Sequence, residues 1–429
     1  MRFTPGIVLF ALASSLPCAA GSATKGKAVA EEKPAELGTA SNATNALGVN
    51  LIRKLDARGS NAVFSPYSIQ SALAMTYAGS AGETRAEMAK VLHYTDDEPK
   101  VHASFRALTQ ALEAIQGRSK ERLQPAAGKA GTGDPITLAV ANRLYGQETY
   151  VFRRPFLSLL KDFYRAPLVE VDFIGHFASV RLEINAWVAK RTHGRIPEII
   201  PEDAVGDAIR LVLVNAVYLK APWARPFLKG ATSPRPFFLG GKNRVDVPTM
   251  YVQAVLGFQA RDGFSVVTIP YSDPDIQFLV LLPDKGKNLA SLESTLTPEV
   301  LQGLAGTPAT EIRLFLPKFK LQPKDFKLQD LLRKLGMRTA FSDMADFGRM
   351  TADDPIKISE VFHQAYLSID EDGSEAAAVT AAMMTLIISD YEEPPPPPPE
   401  VHVDRPFLFA IQHRPSGACL FLGRMTDPR

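Results

Sequence analysis

Residues 371 to 385 read Glu371-Asp-Gly-Ser-Glu-Ala-Ala-Ala-Val-Thr380-Ala-Ala-Met-Met-Thr385, after a strand-like piece, Ala365-Tyr-Leu-Ser-Ile369, and before six prolines, Pro394 to Pro399. Propensity alone makes the alanine-rich part a helix, because alanine is the best helix former. Taken as an extended strand, the same residues put Ser374, Ala376, Ala378, Thr380, Ala382 and Met384 on one face, all small except Met384. Such a face can slide between two strands already in contact, since no bulky side chain blocks its entry. Gly373 supplies a backbone pivot at the base. No proline falls between Gly373 and Glu393, so every amide there can join a ladder, whereas the six prolines cannot donate and exclude their own stretch from a central strand. Helix and insertable strand both remain open on these residues alone.

Working outward, the chain supplies a body into which such a strand could go. Ile209-Arg-Leu-Val-Leu-Val-Asn-Ala-Val-Tyr-Leu219 is nearly continuous in branched and aromatic residues, the pattern of a strand covered on both faces. Ile136, Leu138 and Val140 alternate like a strand, as do Val169, Val171 and Phe173. More strands are expected at Phe278 to Leu282 and Leu314 to Leu321, with a hairpin from Phe407 to Leu422 across Arg414-Pro-Ser-Gly417. Helices dominate the first hundred residues. Leu47, Leu51, Ile52 and Leu55 recur at helical spacing, and Ser65-Pro66 caps a helix carrying Ile69, Leu73 and Tyr77 that stops at Gly79. Thr84 and Glu87 form a capping box for the next helix. Val180, Ile184, Trp187 and Val188 return to helical spacing later, while Gln116 to Asp134 reads as a surface loop. Helices first and strands mostly later, with no repeat and no linker, argue one intertwined α+β domain.

With 429 residues, 46% hydrophobic and 22% charged, the chain has ample core for a soluble globular protein. Its 48 basic and 46 acidic residues leave a charge of +2, which offers no footprint for nucleic acid or an anionic membrane. Arg2, the run Ile7 to Leu16 and the small residues Ala19, Ala20 and Gly21 read as an export signal over 1–20, too short to span a bilayer. Residues 21–40 then form a flexible leader ahead of a single domain, 41–429. A secreted, extracellular product is expected; a periplasmic one, or one lipid-anchored through Cys18, is the lesser alternative. Cleavage near Ala20 removes Cys18 and leaves Cys419 alone, so no internal disulfide forms.

Catalytic and ligand motifs are weak. The seven histidines fall in no HExxH or Cys/His ligand spacing, so no metal site is expected. Gly21-Ser-Ala-Thr-Lys-Gly26-Lys27 has the frame of a phosphate loop, but Ala28 replaces the magnesium-binding hydroxyl and no strand precedes it. Ser158-Leu-Leu-Lys161 satisfies SxxK without SDN or KTG elsewhere, and reads as a solvated pair on a helix. GxSxG and GxGxxG are absent. Asn42-Ala-Thr44 fits a glycosylation acceptor, a pattern common by chance. No enzyme and no cofactor are expected.

From about Leu47 to Pro428 the chain resembles the serpins. The resemblance rests on ordered blocks: Asn61-Ala-Val-Phe-Ser65-Pro-Tyr-Ser68-Ile, Ile184-Asn-Ala-Trp187-Val with Thr192 and Gly194, Leu213-Val-Asn215-Ala-Val-Tyr-Leu-Lys-Ala-Pro-Trp223, Val247-Pro-Thr-Met250, Leu316-Pro-Lys318-Phe, Ile358-Ser-Glu-Val-Phe-His363, the Glu371 to Thr380 hinge and Asp404-Arg-Pro-Phe407. It implies three sheets, eight or nine helices and a reactive loop, about 371–403, held above the body in a metastable state. It further implies that a target serine protease attacks the loop, forms a covalent acyl complex, and is disabled when the cut loop enters the main sheet as a new strand. From Gly373 to Ile387 such a strand covers roughly 46 Å at about 3.3 Å per residue. A dozen ladder bonds at ~0.5 to 1.5 kcal/mol each supply on the order of 10 kcal/mol, comparable to a domain's whole stability.

The resemblance carries roles to single positions. Ser65, Ser68, Asn215 and His363 match the polar cluster, or shutter, beneath the strands that part. Trp223, Lys318 and Glu371 match the breach where insertion starts, with Glu371 and Lys318 as an ion pair. Glu371, Gly373, Ser374, Glu375, Ala376, Ala377, Ala378 and Thr380 match the hinge. Counting from the hinge glycine places the reactive bond at Ile387-Ile388, with Leu386 or Ser389 one step away, which suits a protease with an apolar primary pocket, elastase-like or chymotrypsin- or subtilisin-like. Asp372, Val379 and Gln364 depart from the usual pattern without placing a charge or proline on the inserting face. A monomer is expected. The alternative is a non-inhibitory serpin, a carrier, chaperone or storage protein on the same scaffold.

Overall fold

A computed structural model describes residues 34–55, 60–123, 134–204, 209–240, 243–323, 326–352, 355–375 and 396–429. Among them are nine α-helices: α1 (Pro34–Lys54), α2 (Pro66–Ala78), α3 (Gly82–Val91), α4 (Glu98–Arg122), α5 (Arg154–Leu159), α6 (Phe173–Arg191), α7 (Leu289–Thr295), α8 (Pro298–Gly303) and α9 (Leu328–Leu335). Strands are numbered in chain order. The main sheet holds β2 (Thr137–Gln147), β3 (Val169–Val171), β4 (Leu211–Pro222), β10 (Phe319–Leu321), β11 (Glu360–Ile369) and β12 (Gly373–Ser374), in the order β10-β11-β4-β2-β3 with β12 on the end of β4.

The second sheet holds β1 (Ala62–Phe64), β5 (Ser233–Gly240), β6 (Asn243–Arg261), β7 (Phe264–Pro270), β8 (Ile276–Pro283), β9 (Ala309–Pro317), β13 (Glu400–His402), β14 (Phe407–His413) and β15 (Ala418–Met425). The α+β architecture agrees with expectation, yet hydrogen bonding joins the described strands into two sheets where three are implied. The 19-residue β6 is the reason: it pairs with β5 along its first part, with β9 along its middle and with β7 near its end, fusing two ladders into one.

β4 is the middle of the main sheet because apolar residues line both its faces. Leu211, Leu213, Val217 and Leu219 belong to the large core shared with α1, α2 and the second sheet, while Val212, Val214, Ala216 and Tyr218 belong to a smaller core under α6. It pairs antiparallel with β2 on one side and parallel with β11 on the other, from Glu360↔Val212 to Tyr366↔Tyr218. Parallel neighbours from distant parts of the chain are the kind of pair an antiparallel strand can enter, and slanted parallel bonds are slightly weaker than antiparallel ones.

Four local expectations differ from the structure, each for a physical reason. α1 opens at Pro34, inside the stretch expected as leader, and Leu37, Ala40, Ser41 and Ala43 are buried. Small side chains there serve close packing. α4 runs to Arg122, so the loop expected from Gln116 begins later, and its 124–133 part lies outside the described residues. The capping box on α3 is absent: its N-cap is Ala81, Thr84 Oγ1 accepts from Asp346 N (2.9 Å), and Glu87 accepts from Arg338 N and Thr339 N (2.8 and 2.7 Å). Those groups tie a distant segment to α3 instead of closing its own end. Finally, the single strand expected over Leu314 to Leu321 is two strands in two sheets, broken where Pro317 cannot donate; Lys318 stands at the crossing and its N–H goes to Pro248 O (2.9 Å).

Candidate functional site

The geometry of interest begins where β11 ends. Asp370 accepts from Asp372 N and Gly373 N (2.9 and 3.2 Å), a side-chain-closed turn that reverses the chain. Gly373 then sits at φ 152°, and a Cβ built on it would lie 2.1 Å from the carbonyl oxygen of Ala221. Only glycine allows that approach. It lets Gly373 and Ser374 pair antiparallel with Pro222 and Ala221 of β4, past the last β4–β11 pair, where β12 touches both strands.

Alternation is already in force over these residues. Ser374 is fully buried on the core side, its Oγ 2.6 Å from the hydroxyl of Tyr271, whose ring stacks on Trp223 at 4.5 Å. Glu375 takes the other side, ion-paired with Arg195 and hydrogen-bonded to Tyr218, and its φ of 53° is left-handed. Burial first, and the Glu375 carboxylate second, push the Tyr218 hydroxyl upward; burial does the same to Tyr271.

Backbone and ionic contacts hold the turn to the body. Trp223 Nε1 donates to Asp370 O (2.9 Å), Trp223 N to Asp372 O (2.9 Å) and Phe227 N to Glu371 O (2.8 Å). The Glu371 carboxylate takes Lys318 Nζ at 2.7 Å and Thr232 Oγ1 at 2.7 Å, and Asp372 pairs with Lys229 at 2.8 Å. Burial of the Glu371 carboxyl would raise its pKa, but the bonds from Lys318 and Thr232 outweigh it and the shift is downward.

Lower on the same strands, Asn142 of β2, Asn215 of β4 and His363 of β11 stand in register across three neighbours, on the face toward the large core. His363 is buried, its Nδ1 meets Asn215 Oδ1, and its Nε2 accepts from Ser65 N (3.2 Å). Ser65 Oγ donates to Leu420 O (2.6 Å) and accepts from Ser68 N (3.0 Å), capping α2. Asn215 Nδ2 donates to Ser68 O and Ser68 Oγ (both 2.7 Å) and also faces Asn142 Oδ1. This bonding requires a neutral imidazole carrying its proton on Nδ1, and burial lowers the His363 pKa to about 3.

Of the residues singled out in the sequence, Ser65, Ser68, Asn215 and His363 thus come together, as do Trp223, Lys318, Glu371, Gly373, Ser374 and Glu375. Ala376, Ala377, Ala378 and Thr380 of the hinge, and Leu386, Ile387, Ile388 and Ser389 of the reactive bond, lie outside the described residues. Asn142, Arg195, Lys229, Thr232 and Tyr271 escaped sequence reasoning. Only Asn142 left a signal: it continues the alternation of Leu138 and Val140 in the strand antiparallel to Asn215. No group of three potential metal ligands occurs among the described residues, and none of their helices is long and apolar enough to cross a membrane. Cys419 is buried, which pushes its thiol pKa up.

The main sheet thus carries, on the end of β4 beside its parallel pair with β11, the first two residues of a returning segment. The serpin (serine protease inhibitor) family profile matches residues 42–428, and the chain belongs to that family. It is 35% identical over 377 residues to the leukocyte elastase inhibitor of Bos taurus, covering 86% of this chain and 93% of that one, and 34% identical over 398 residues to Serpin B9 of Homo sapiens, covering 91% and 100%. Among solved structures, human thyroxine-binding globulin complexed with thyroxine matches at a TM-score of 0.76 and 26% identity, covering 92% of this chain and 99% of that one. The family is one of serine protease inhibitors and not of enzymes.

The relatives correct one expectation. The leukocyte elastase inhibitor and Serpin B9 belong to the clade B branch, whose members lack signal peptides and are intracellular, so the reading of 1–20 as an export signal with a secreted, extracellular product is withdrawn. A short apolar run followed by alanines is a pattern that many N-termini carry.

Proposed function

We propose that this serpin is a suicide-substrate inhibitor of a serine protease with an apolar primary pocket. The observation that carries the reading is the antiparallel docking of Gly373 and Ser374 on the end of β4. With β4 and β11 still paired directly below it, the chain is in position to continue as a new strand between them. The protease serine attacks the carbonyl carbon of Ile387, the bond from that carbon to the Ile388 nitrogen breaks, the departing amine takes the proton that the serine hydroxyl gives up, and an ester joins the enzyme to Ile387. Insertion from Ser374 onward then carries that ester away from the loop's original position before water can cleave it.

The breach role of Trp223, Lys318 and Glu371 and the shutter role of Ser65, Ser68, Asn215 and His363 belong to the same proposal. So does a monomeric single domain, extended at its start to Pro34. The named activity of the elastase-inhibitor relative supports an apolar pocket in the target. The match to a thyroxine-binding globulin favours, as second reading, a serpin that keeps the scaffold as a binding protein without inhibiting.

The test is incubation with elastase-, chymotrypsin- and subtilisin-like enzymes. The expected result is a complex that survives denaturing electrophoresis, together with a released C-terminal peptide beginning at Ile388. Cleavage of the loop with no covalent complex supports the carrier reading and sinks the inhibitory one.

A further inference from the structure

The six prolines, Pro394 to Pro399, are a motif that neither the fold nor the inhibitory reading uses. Each locks φ near −65° and keeps the residue before it out of the α region, so such a run is left with the polyproline II helix. Pro396 to Pro399, the described part, fall in neither a helix nor a strand, and all but the half-buried Pro398 are exposed. Pro399 O accepts from Arg313 N (2.9 Å), and β13 follows at once on the edge of the second sheet. Among the described residues no hydrogen bond ties Pro396, Pro397 or Pro398 to the body. This part of the run is pinned where it meets the sheet and open along its sides.

Polyproline II has three residues per turn and a rise of about 3.1 Å, so Pro396 and Pro399 share one edge, about 9 Å apart. That is the PxxP spacing which aromatic-lined grooves read, and a run already held in shape has little conformational entropy left to lose on binding. The plainer role is an edge guard, since prolines cannot extend a ladder along β9. A single proline already breaks a ladder, so a guard does not call for six.

Charge narrows the partner. From Gly373 to Asp404 the sequence has no Lys or Arg, and Asp390, Glu392, Glu393, Glu400 and Asp404 bracket the prolines. Arg313, alongside, is engaged by Glu400 at 3.5 Å. A groove that needs a cation next to its PxxP finds none in this segment, whereas a groove with a basic rim finds carboxylates on both sides.

We propose that Pro396 to Pro399 are the docking site of a protein domain whose groove is lined with aromatic rings and rimmed with basic residues. The rings of Pro396 and Pro399 enter the groove, the backbone carbonyls between them accept from its donors, and the flanking carboxylates turn away domains with acidic rims. The site is separate from the hinge, and nothing in it depends on protease inhibition.

Fluorescence titration of the full chain into purified WW and EVH1 domains with basic rims, and into an SH3 domain with an acidic one, tests this. The basic-rimmed domains should saturate at one site, and the acidic-rimmed one should bind at least about tenfold more weakly. Pro396→Ala combined with Pro399→Ala should weaken the basic-rimmed domains at least about tenfold with little change in melting temperature, because both rings are exposed. A synthetic peptide of residues 394–404 should displace the full chain, and it carries the test alone if the double variant aggregates. Absence of saturation, equal binding by both kinds of rim, affinity unchanged in the double variant, or a peptide that fails to compete would each overturn the proposal and leave the prolines as an edge guard.

Discussion

The upper and lower parts of the β4–β11 seam are closed by different chemistry. At the top, the turn from Asp370 to Glu375 is held by ion pairs, Glu371–Lys318, Asp372–Lys229 and Glu375–Arg195, with side chains partly open to solvent. Lower down, Asn142, Asn215, Ser68, Ser65 and His363 hold the strands with neutral, buried hydrogen bonds. Exposed ion pairs are weak, screened by salt and easily exchanged. Buried neutral networks cost a full desolvation penalty when one member is lost. The top is therefore the more easily exchanged part of the seam and the middle the more costly to open.

Breaking the geometry of the top has the largest expected effect. Gly373→Val puts a branched side chain where a Cβ alone would lie 2.1 Å from Ala221 O, so β12 cannot dock. Under the inhibitory proposal the loop is then cut without insertion. The number of inhibitor molecules consumed per protease should rise at least about tenfold, since turnover outruns trapping by that margin when the barrier to insertion grows by ~1.4 kcal/mol. An unchanged stoichiometry would show that docking at Gly373 is incidental.

Breaking the middle acts on stability. Asn215→Ala strips the partner from buried His363 Nδ1 and leaves Ser68 O and Ser68 Oγ with Asn142 alone. A loss of about 1 to 3 kcal/mol is expected, read from the urea midpoint at constant slope. Loss below about 0.5 kcal/mol would mean that water replaces the amide and that the network is not a clamp.

Acid separates the two parts by where each begins to weaken. His363 titrates near 3 in the fold against 6.5 in the unfolded chain, so between those values the unfolded state binds more protons and stability rises with pH. Its contribution is complete above about 6.5 and is lost progressively as pH falls toward 3, roughly 3 to 5 kcal/mol in all. Glu371 has a lowered pKa, so its contribution persists until pH falls below the unfolded carboxyl value of 4.5. The middle should thus soften first, from pH 6.5 downward, while the top stays paired. Because His413 is also depressed, to about 4, by burial, the measurement is the difference in pH slope between the parent and His363→Gln. Identical slopes between pH 4.5 and 6.5 would remove His363 from this account.

How much of the fold and site was legible depends on how far apart the partners lie. The covered central strand, the Ser65-Pro66 cap and the pivot at Gly373 each depend on neighbouring residues, so periodicity and backbone sterics reveal them. The capping box at Thr84 and Glu87 misled because its side chains serve residues 338 to 346, a contact that only the folded chain creates. Tyr271, which meets Ser374 from 103 positions away, and Arg195, which meets Glu375, carry no local mark at all. Asn142 sits between these cases. An asparagine on the core face of an apolar strand is a conflict that signals a partner, and the antiparallel register supplies it in Asn215. The export reading failed for another reason, as it rested on a short apolar run and small residues, a composition that does not by itself distinguish a signal.

The smallest expected effect sharpens the comparison most finely. Lys318→Met removes the cation from Glu371 while keeping an apolar stem of similar length, and Thr232 Oγ1 still donates to the carboxylate. Lys318 is 37% exposed, so solvent screening reduces the pair to about 1 kcal/mol or less. The signature lies in its salt dependence. In the parent, raising ionic strength toward 1 M shortens the Debye length to about 3 Å and weakens all the pairs of the top. The variant has already lost one of them and should lose less stability over the same range. Asn215→Ala, which removes no charge, should follow the parent's salt curve displaced by a constant. If Asn215→Ala and Lys318→Met instead respond to salt alike, the division of the seam into an ionic top and a neutral middle has no energetic content, whatever the distances show.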